Sequence, residues 1–415
     1  MRKLWVVCVF AALPLHAAGF DFAGQSARAM GMGGAYVAAV DDPSAIYYNP
    51  GALGLLKKKK ALSIGIAAVK PNQGLFQGLP PGIAAGTTGE QKTSISAIPH
   101  AFATLPLGTS AVLGIGTYSP FRMRTEWKDS PLFAGRFLSR RSQIDTLDIA
   151  TTLGVKAGPL GLGAGVFYRT TKLQASRRVA AQLSGEQREI GDLSMQTDSK
   201  STYGWTAGLM LRPSANFSWG ASVRSKTKVT AEGVGRLTQI ATGDSQLDTL
   251  VRASFPFEQD LALTSTLMLP AQLTTGIAFV PSKPFLISVD ATRTQWSRIQ
   301  NYELGFVSNA VFNTNYRLDL KDAMSYRAGL RFMFPTGPQV RVGYALEESP
   351  QPNATVGAFL ADASRSTITA GFGLDWLDVA VAWTSREGRV VTTNVDQLNG
   401  NWRGDEWALL VTVTK

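Results

Sequence analysis

Residues 325–334 read Ser325-Tyr326-Arg327-Ala328-Gly329-Leu330-Arg331-Phe332-Met333-Phe334. In an extended chain side chains alternate between faces with period 2. Tyr326, Ala328, Leu330, Phe332 and Phe334 therefore share one face, and Ser325, Arg327, Gly329 and Arg331 share the other. Thr336-Gly337-Pro338 follows as a tight turn. The alternation returns at 366–374, where Ile368, Ala370, Phe372 and Leu374 alternate with Thr367, Thr369, Gly371 and Gly373. It returns again at 405–414, with Trp407, Leu409, Val411 and Val413 on one face. In a soluble sandwich such a face points inward. In a membrane barrel it points to lipid, and the polar or glycine face lines the lumen.

Connection lengths decide between the two. Tight turns are expected at Leu107-Gly108, Gly158-Pro159, Pro213-Ser214, Pro281-Ser282-Lys283, Thr336-Gly337-Pro338 and Leu377-Asp378. Between them lie long polar connections, at 71–91, 119–142, 176–197, 231–268, 299–323, 347–364 and 387–404. Short and long alternate without a break, as in bacterial barrels with short periplasmic turns and long outer loops. Compact soluble domains seldom carry loops this long. One strand on each side of every connection gives about fourteen strands. The expected fold is all-β, a transmembrane antiparallel β-barrel over 57–415. Several strands exceed the roughly 9–11 residues that span a bilayer, so they should project beyond it.

Composition fits that reading. Of 415 residues 45% are apolar and only 17% are charged, too apolar for a disordered chain and too weakly charged for an ordinary soluble surface. Arg2 and Lys3, then the apolar stretch Leu4 to Leu15, then His16-Ala17-Ala18-Gly19, read as a secretory signal peptide over 1–17. Twelve apolar residues are too few for a membrane helix, which needs about 20. The lone Cys8 lies in that peptide, and only His100 remains of two histidines, so neither a disulfide framework nor a thiolate or histidine metal cluster is expected. Formal charge is +11, and removing Arg2 and Lys3 leaves +9. Export argues against nucleic acid as the partner of this basic balance and favours lipid phosphates or anionic solutes.

Segment 18–56 breaks the rhythm. It is rich in Gly and Ala and ends in Tyr47-Tyr48-Asn49-Pro50-Gly51. A fourteen-stranded barrel leaves a lumen to fill, so 18–56 is read as a plug inside it, a loose periplasmic arm being the alternative.

Ala18-Gly19-Phe20, Ser26-Ala27-Arg28-Ala29-Met30-Gly31-Met32-Gly33-Gly34-Ala35, Asp41-Asp42-Pro43-Ser44-Ala45 and Asn49-Pro50 together resemble the FadL/TodX family. Tyr118-Ser119-Pro120-Phe121, Thr125-Glu126-Trp127, Phe133-Ala134-Gly135-Arg136-Phe137, Leu269-Pro270, Trp296-Ser297 and Glu348-Ser349-Pro350-Gln351-Pro352 extend the likeness in order along the chain. The family comprises outer-membrane transporters of long-chain fatty acids and aromatic hydrocarbons. The resemblance implies a fourteen-stranded barrel with an N-terminal hatch and a passive route. A hydrophobic molecule lodges in an outer-loop groove, moves to a lumenal pocket beside the mature N-terminus, and leaves sideways where the third strand kinks inward.

Candidate residues follow. Phe121, Trp127, Leu132, Phe133 and Phe137 form an apolar cluster in the 119–142 loop. Such a cluster in a water-facing loop marks a binding patch or packs the loop on its neighbours. By resemblance Phe20 touches the lumenal ligand, and Asn49, Pro50 and Gly51 belong to the hatch and its gating. A fatty acid carboxylate wants a cation; the resemblance points beyond the strand ending near Lys172 and just before Lys321-Asp322-Ala323, where Arg177 and Arg317 are the nearest candidates. Solvated loop arginines are the alternative for both. Arg327, Arg331 and Arg341 should face the lumen and meet acids such as Asp41 and Asp42. Lys57 to Lys60 read as a solvated turn or as a contact with lipid phosphates.

No G-x-S-x-G elbow, P-loop or H-E-x-x-H occurs, and Gly31-Met32-Gly33 lacks the third glycine of a dinucleotide loop. The expectation is therefore a non-enzymatic monomer without cofactor or metal. Its expected partners are a long-chain fatty acid or another hydrophobic molecule, outer-membrane lipid and lipopolysaccharide, and the barrel-assembly machinery. An aromatic-hydrocarbon channel, a plugged barrel serving protein secretion and a general porin are the competing readings. Two departures from the family pattern stand out: Gly51 follows Asn49-Pro50 where alanine is usual, and Lys415 stands where an aromatic residue is usual.

Overall fold

The computed structural model describes residues 19–56, 60–72, 74–183 and 185–415. The expected signal peptide with its cleavage site, and Lys57 to Lys59, lie outside the described residues. The barrel opens with β1 (Ala61–Pro71) and β2 (Ser96–Leu107). Next come β3 in two pieces (Ala111–Tyr118 and Arg122–Glu126), β4 (Arg141–Ala157) and β5 (Leu160–Leu183). Five strands are interrupted once: β6 (Glu186–Thr197, Lys200–Ser214), β7 (Phe217–Arg224, Thr227–Gln239), β8 (Asp260–Leu269, Gln272–Phe279), β9 (Phe285–Thr294, Asn301–Phe306) and β10 (Thr314–Arg317, Ala323–Met333). Then follow β11 (Gln339–Glu347), β12 (Arg365–Gly373), β13 (Leu377–Arg386) and β14 (Asp405–Thr414). Neighbours are antiparallel, and β14 pairs with β1 (Val413 opposite Ile64) to close the fourteen-stranded barrel. Closure leaves neither the first nor the last strand with a free edge.

The period-2 faces fall as read. Ile64, Leu330, Ile368 and Leu409 are exposed to the outside, whereas Arg327 and Thr412 are buried on the inside. Tyr326, Tyr344, Trp383 and Trp407 ring one end of this apolar band, and Phe279, Phe285, Phe334 and Trp376 ring the other, the aromatic girdles of a membrane barrel. Two turns sit one or two residues later or earlier than expected: β6 runs through Ser214 and β13 starts at Leu377. The larger correction is 176–197. It is no loop but the outer part of the β5–β6 hairpin, paired from Gln174–Gln196 to Leu183–Glu186. Beyond the bilayer both faces of a strand meet water or protein, so the apolar alternation fades and the strand reads as polar loop.

Residues 19–56 fill the barrel. They form α1 (Ala27–Met30), α2 (Ala45–Tyr48) and a 3-10 turn over Pro50–Leu55. Inward-facing glycines of the wall make the room. A Cβ on Gly343 would lie 2.0 Å from the Gly33 nitrogen, and one on Gly163 would lie 2.1 Å from the Pro50 oxygen. Gly51 works the same way from the other side: its Cβ would meet Leu209 backbone at 2.7 Å. Close approach, and not conformational freedom, is the physical demand at this position. Asn49 is fully buried and donates to the Val37 and Leu209 carbonyls (2.8 and 3.0 Å) while accepting from the Gly51 N–H (3.0 Å).

Charges fix the segment further. Arg28 reaches Asp378 of the wall (2.9 Å) and Asp41 (3.1 Å), and Arg331 also holds Asp41 (2.8 Å). Arg327 and Arg341 face inward as expected but pair with the wall acids Glu347 (2.6 Å) and Asp378 (2.7 Å) instead of Asp41 and Asp42. Asp290 accepts the Tyr36 and Val37 N–H groups (2.6 and 2.8 Å).

Candidate functional site

Above the buried segment the lumen is apolar. Phe20, Phe121, Met123, Leu173, Trp296 and Phe359 belong to one buried cluster that climbs to Leu237 and Val251 at the outer end. Phe20 stands at its foot, edge-on to Trp296 (4.6 Å between centroids) and near Phe121 (6.3 Å). Higher up, Phe359 stacks against Tyr316 (4.0 Å) and against Tyr302 (5.3 Å). Helix α3 (Ser245–Ser254) closes the top. Asp244 caps it by accepting the Gln246 and Leu247 N–H groups, and Val251 points into the cluster.

Below Phe121 the lumen turns abruptly polar. Asp148 and Arg169 are fully buried and make a two-point pair (2.6 and 2.8 Å). Arg224 lies 3.6 Å from the same carboxylate and donates to the Tyr118 hydroxyl and the Tyr47 carbonyl. The Arg169 guanidinium stacks under Phe121 (5.1 Å). The apolar column therefore ends on a floor of buried charge.

The wall breaks beside that floor. β2 and β3 stay paired only up to Ala101–Thr117. After Tyr118 the chain of β3 turns inward, and Phe121 is fully buried. Its second piece pairs with β4 and no longer with β2. The N-terminal segment takes the vacated place: the Phe22 N–H donates to the Pro120 carbonyl (2.9 Å) and the Arg122 N–H to the Phe20 carbonyl (2.8 Å). The Gln25 amide holds the bend by donating to the Ser119 carbonyl (2.7 Å) and accepting its N–H (3.2 Å). A cavity of about 130 Å³ lies here, lined by Phe20, Phe22, Ile98, Met123, Leu360 and Asp362 among others. Asp362, in the loop after β11, accepts the Gly19 N–H (3.0 Å) and the Ser349 hydroxyl (2.6 Å). Burial pushes its carboxyl up, against those two hydrogen bonds.

The remaining sequence candidates divide. Trp127 and Phe133 stack (4.4 Å) inside a second apolar cluster with Phe76, Val391 and Trp402, and Trp127 Nε1 donates to the Ala358 carbonyl (2.9 Å). They join four outer loops into a cap. Leu132 is exposed, and Phe137 is half-buried under the Arg136 guanidinium (4.3 Å). Phe133→Asp should free this cap: burying an unpaired carboxylate in place of a ring costs at least about 3 kcal/mol, read as faster amide exchange over 131–138. Unchanged exchange there would show that the cap does not depend on Phe133.

Arg177 faces the column, where it donates to Thr314 Oγ1 (3.3 Å) and the Phe312 carbonyl (3.5 Å). Among the described residues no carboxylate forms an ion pair with it. Arg317 is largely exposed and pairs with Asp319 (2.7 Å), so the two arginines are not brought together. His100 lies inside the wall with Nε2 3.0 Å from Thr412 Oγ1. Gln25, Trp296, Asp148 and Asp362 escaped sequence reasoning, because no local pattern announces a side chain whose partner lies across a closed barrel.

Comparison with known proteins agrees with this architecture. A Pseudomonas aeruginosa FadL homologue superposes with a TM-score of 0.80 at 18% identity, covering 96% of this chain and 99% of that one. The toluene transporter TodX of P. putida gives 0.71 at 15% identity, covering 97% and 99%. At such identities the likeness is one of fold. A putative outer membrane protein of Neisseria meningitidis serogroup B, NMB0088, is 32% identical over 131 residues. That match spans 30% of this chain and 27% of the relative, so the chain aligns with about a quarter of it. The family model for outer membrane protein transport proteins (OMPP1/FadL/TodX) matches residues 8–412, and the chain belongs to that family.

Proposed function

We propose that this barrel takes up long-chain fatty acids through the outer membrane. The observation that carries the reading is the course of the apolar column, which ends on buried charge and beside a break in the wall. A solute moving down from Val251 to Phe20 finds apolar surface all the way, each Å² of it contributing roughly 25 cal/mol. Going straight on would strip the Asp148–Arg169 floor of its hydrogen bonds and displace residues 19–56, which serve as the hatch. Going sideways between β2 and β3 costs neither. Leu132 and Phe137, on the outer loops, suit first capture.

Arg177 favours a carboxylate-bearing solute. It is a charged group beside apolar side chains, among the described residues no acid pairs with it, and a fatty acid headgroup would supply one. The stacked Tyr302, Phe359 and Tyr316 favour the second reading, an aromatic hydrocarbon. Binding followed through Trp296 fluorescence separates the two. Arg177→Met should weaken oleate at least about tenfold, the worth of one charge-assisted hydrogen bond, and leave toluene unchanged. Equal oleate affinity in the variant would remove Arg177 from the site and return the choice to aromatic solutes.

A further inference from the structure

Two cavities meet at one point of the wall. The inner one is the 130 Å³ space beside Phe20. The other, of about 240 Å³, is a concavity on the outside, lined by Ala97, Pro99, Ser119, Asp145, Leu147 and Lys172 among others. Ile98 and Arg122 line both. These two side chains are the partition between the lumen and the outer face of the barrel.

The break they fill is an unpaired sheet edge, which lipid would penalise. Two features quiet it. The Ala97 carbonyl faces the gap, since it accepts from Arg122 Nη1 (3.4 Å). Residues two apart in a strand turn their peptide groups to the same side, so position 99 would also aim an N–H into the gap. It is proline and has none. Arg122 gives the Ala97 carbonyl on this edge its donor. Arg122 is itself held by Asp145 (Nε to Oδ1, 2.8 Å), its register partner on β4.

On its other side Asp145 stands opposite Lys172 of β5. Lys172 is exposed and makes no ion pair among the described residues. The carboxylate thus has a second cation in waiting.

We infer that Arg122 is the bar of a side door, released when the carboxylate of a departing fatty acid takes its guanidinium and Asp145 passes to Lys172. The inference rests on the uptake reading above and adds a selectivity to it. A carboxylate can replace both hydrogen bonds that Arg122 gives up, because guanidinium pairs with carboxylate in a two-point fork. A neutral head of the same chain length cannot, so the door stays shut to it. Phe20 and the Gln25-held bend keep the second piece of β3 in place meanwhile, so the door opens by a side-chain movement.

The test uses the full chain in cells that lack their own long-chain fatty acid transporter, and two labelled probes, oleate and oleyl alcohol. Wild type should take up oleate and pass oleyl alcohol at least about tenfold more slowly, the discrimination that one lost charge-assisted pair gives. Arg122→Ala should raise oleyl alcohol uptake at least about tenfold and so abolish the preference for oleate. Arg122→Lys should restore part of the preference. Asp145→Asn, which leaves the bar in place but loosens it, should also admit the alcohol. Heat-modifiable mobility on gels reports that each barrel is folded, and a gain of uptake cannot come from misfolding. Equal probe rates in wild type, or an oleate loss in Arg122→Ala without any alcohol gain, would overturn the door while leaving the uptake reading intact. Failure of wild type to take up either probe would overturn both.

Discussion

A Gly343→Leu, Gly208→Leu chain is expected to fold as a barrel and to conduct ions at porin level, where the wild type conducts little. Both glycines face inward and touch the buried N-terminal segment. A Cβ on Gly343 would lie 2.0 Å from the Gly33 nitrogen and 2.2 Å from the Met32 carbonyl carbon, and one on Gly208 would lie 2.3 Å from Asn49 Oδ1 and 2.9 Å from the Gly51 nitrogen. Most of these are backbone atoms, which cannot rotate away. Gly33 has φ +66°, so the turn at 31–34 has little freedom to adjust. Overpacking costs about 1–3 kcal/mol per site. Two sites at the upper end shift the seated-to-lifted ratio by about four orders of magnitude. The strands themselves keep their ladders, so the wall survives. Gly305→Ala is the control, its nearest neighbour being Thr264 Oγ1 at 3.7 Å. Single-channel recording in planar bilayers, with uptake of a large hydrophilic antibiotic as the cell-level measure, checks the outcome. Wild-type conductance in the double variant would mean that the segment is not seated by these contacts.

The contrast between such sites and the rest shows what a sequence can disclose. The strands were legible because lipid imposes period 2: Tyr326, Leu330 and Phe334 must be apolar where they meet it. That same cause explains the failure at 176–197, where the β5–β6 hairpin stands clear of the bilayer and no rule constrains its faces. That 18–56 adds no strand to the wall was legible from its lack of alternation. Its seats were not, since Gly208 and Gly343 look like any strand glycine until the barrel closes. The loop aromatics were legible as a group but not in their roles. Trp127 and Phe133 meet Phe76 and Trp402 from two other loops, while Phe121 alone turns into the column. Arg177 and Arg317 are chemically identical in the sequence, and only the register of β5 directs the first inward and leaves the second beside Asp319.

Asp148→Asn is expected to destabilise the barrel by about 3–5 kcal/mol, the usual cost of leaving a buried cation without its anion. Asp148 and Arg169 have no exposed surface, and Arg224 is nearly as deep. One carboxylate answers two guanidinium groups here: Arg169 at 2.6 and 2.8 Å and Arg224 at 3.6 Å. An amide keeps the shape, offers Arg169 one neutral oxygen and turns an N–H₂ toward a donor. Arg224 retains the Tyr118 hydroxyl and the Tyr47 carbonyl, so the burden falls on Arg169, whose other hydrogen bond goes to Thr227 (2.9 Å). The companion variant makes the cause testable. In Asp148→Asn, Arg169→Met the stranded cation is gone and an apolar chain lies against Phe121 and Phe167, so much of the loss should be recovered, as replacing a whole buried pair is often near neutral. Urea unfolding of the folded barrel in detergent, run as a double-mutant cycle, gives the coupling directly. A single-variant cost below about 1 kcal/mol, or a double variant no better than the single, would mean that the floor of the column is hydrated and that its charges do not turn an apolar solute toward the wall.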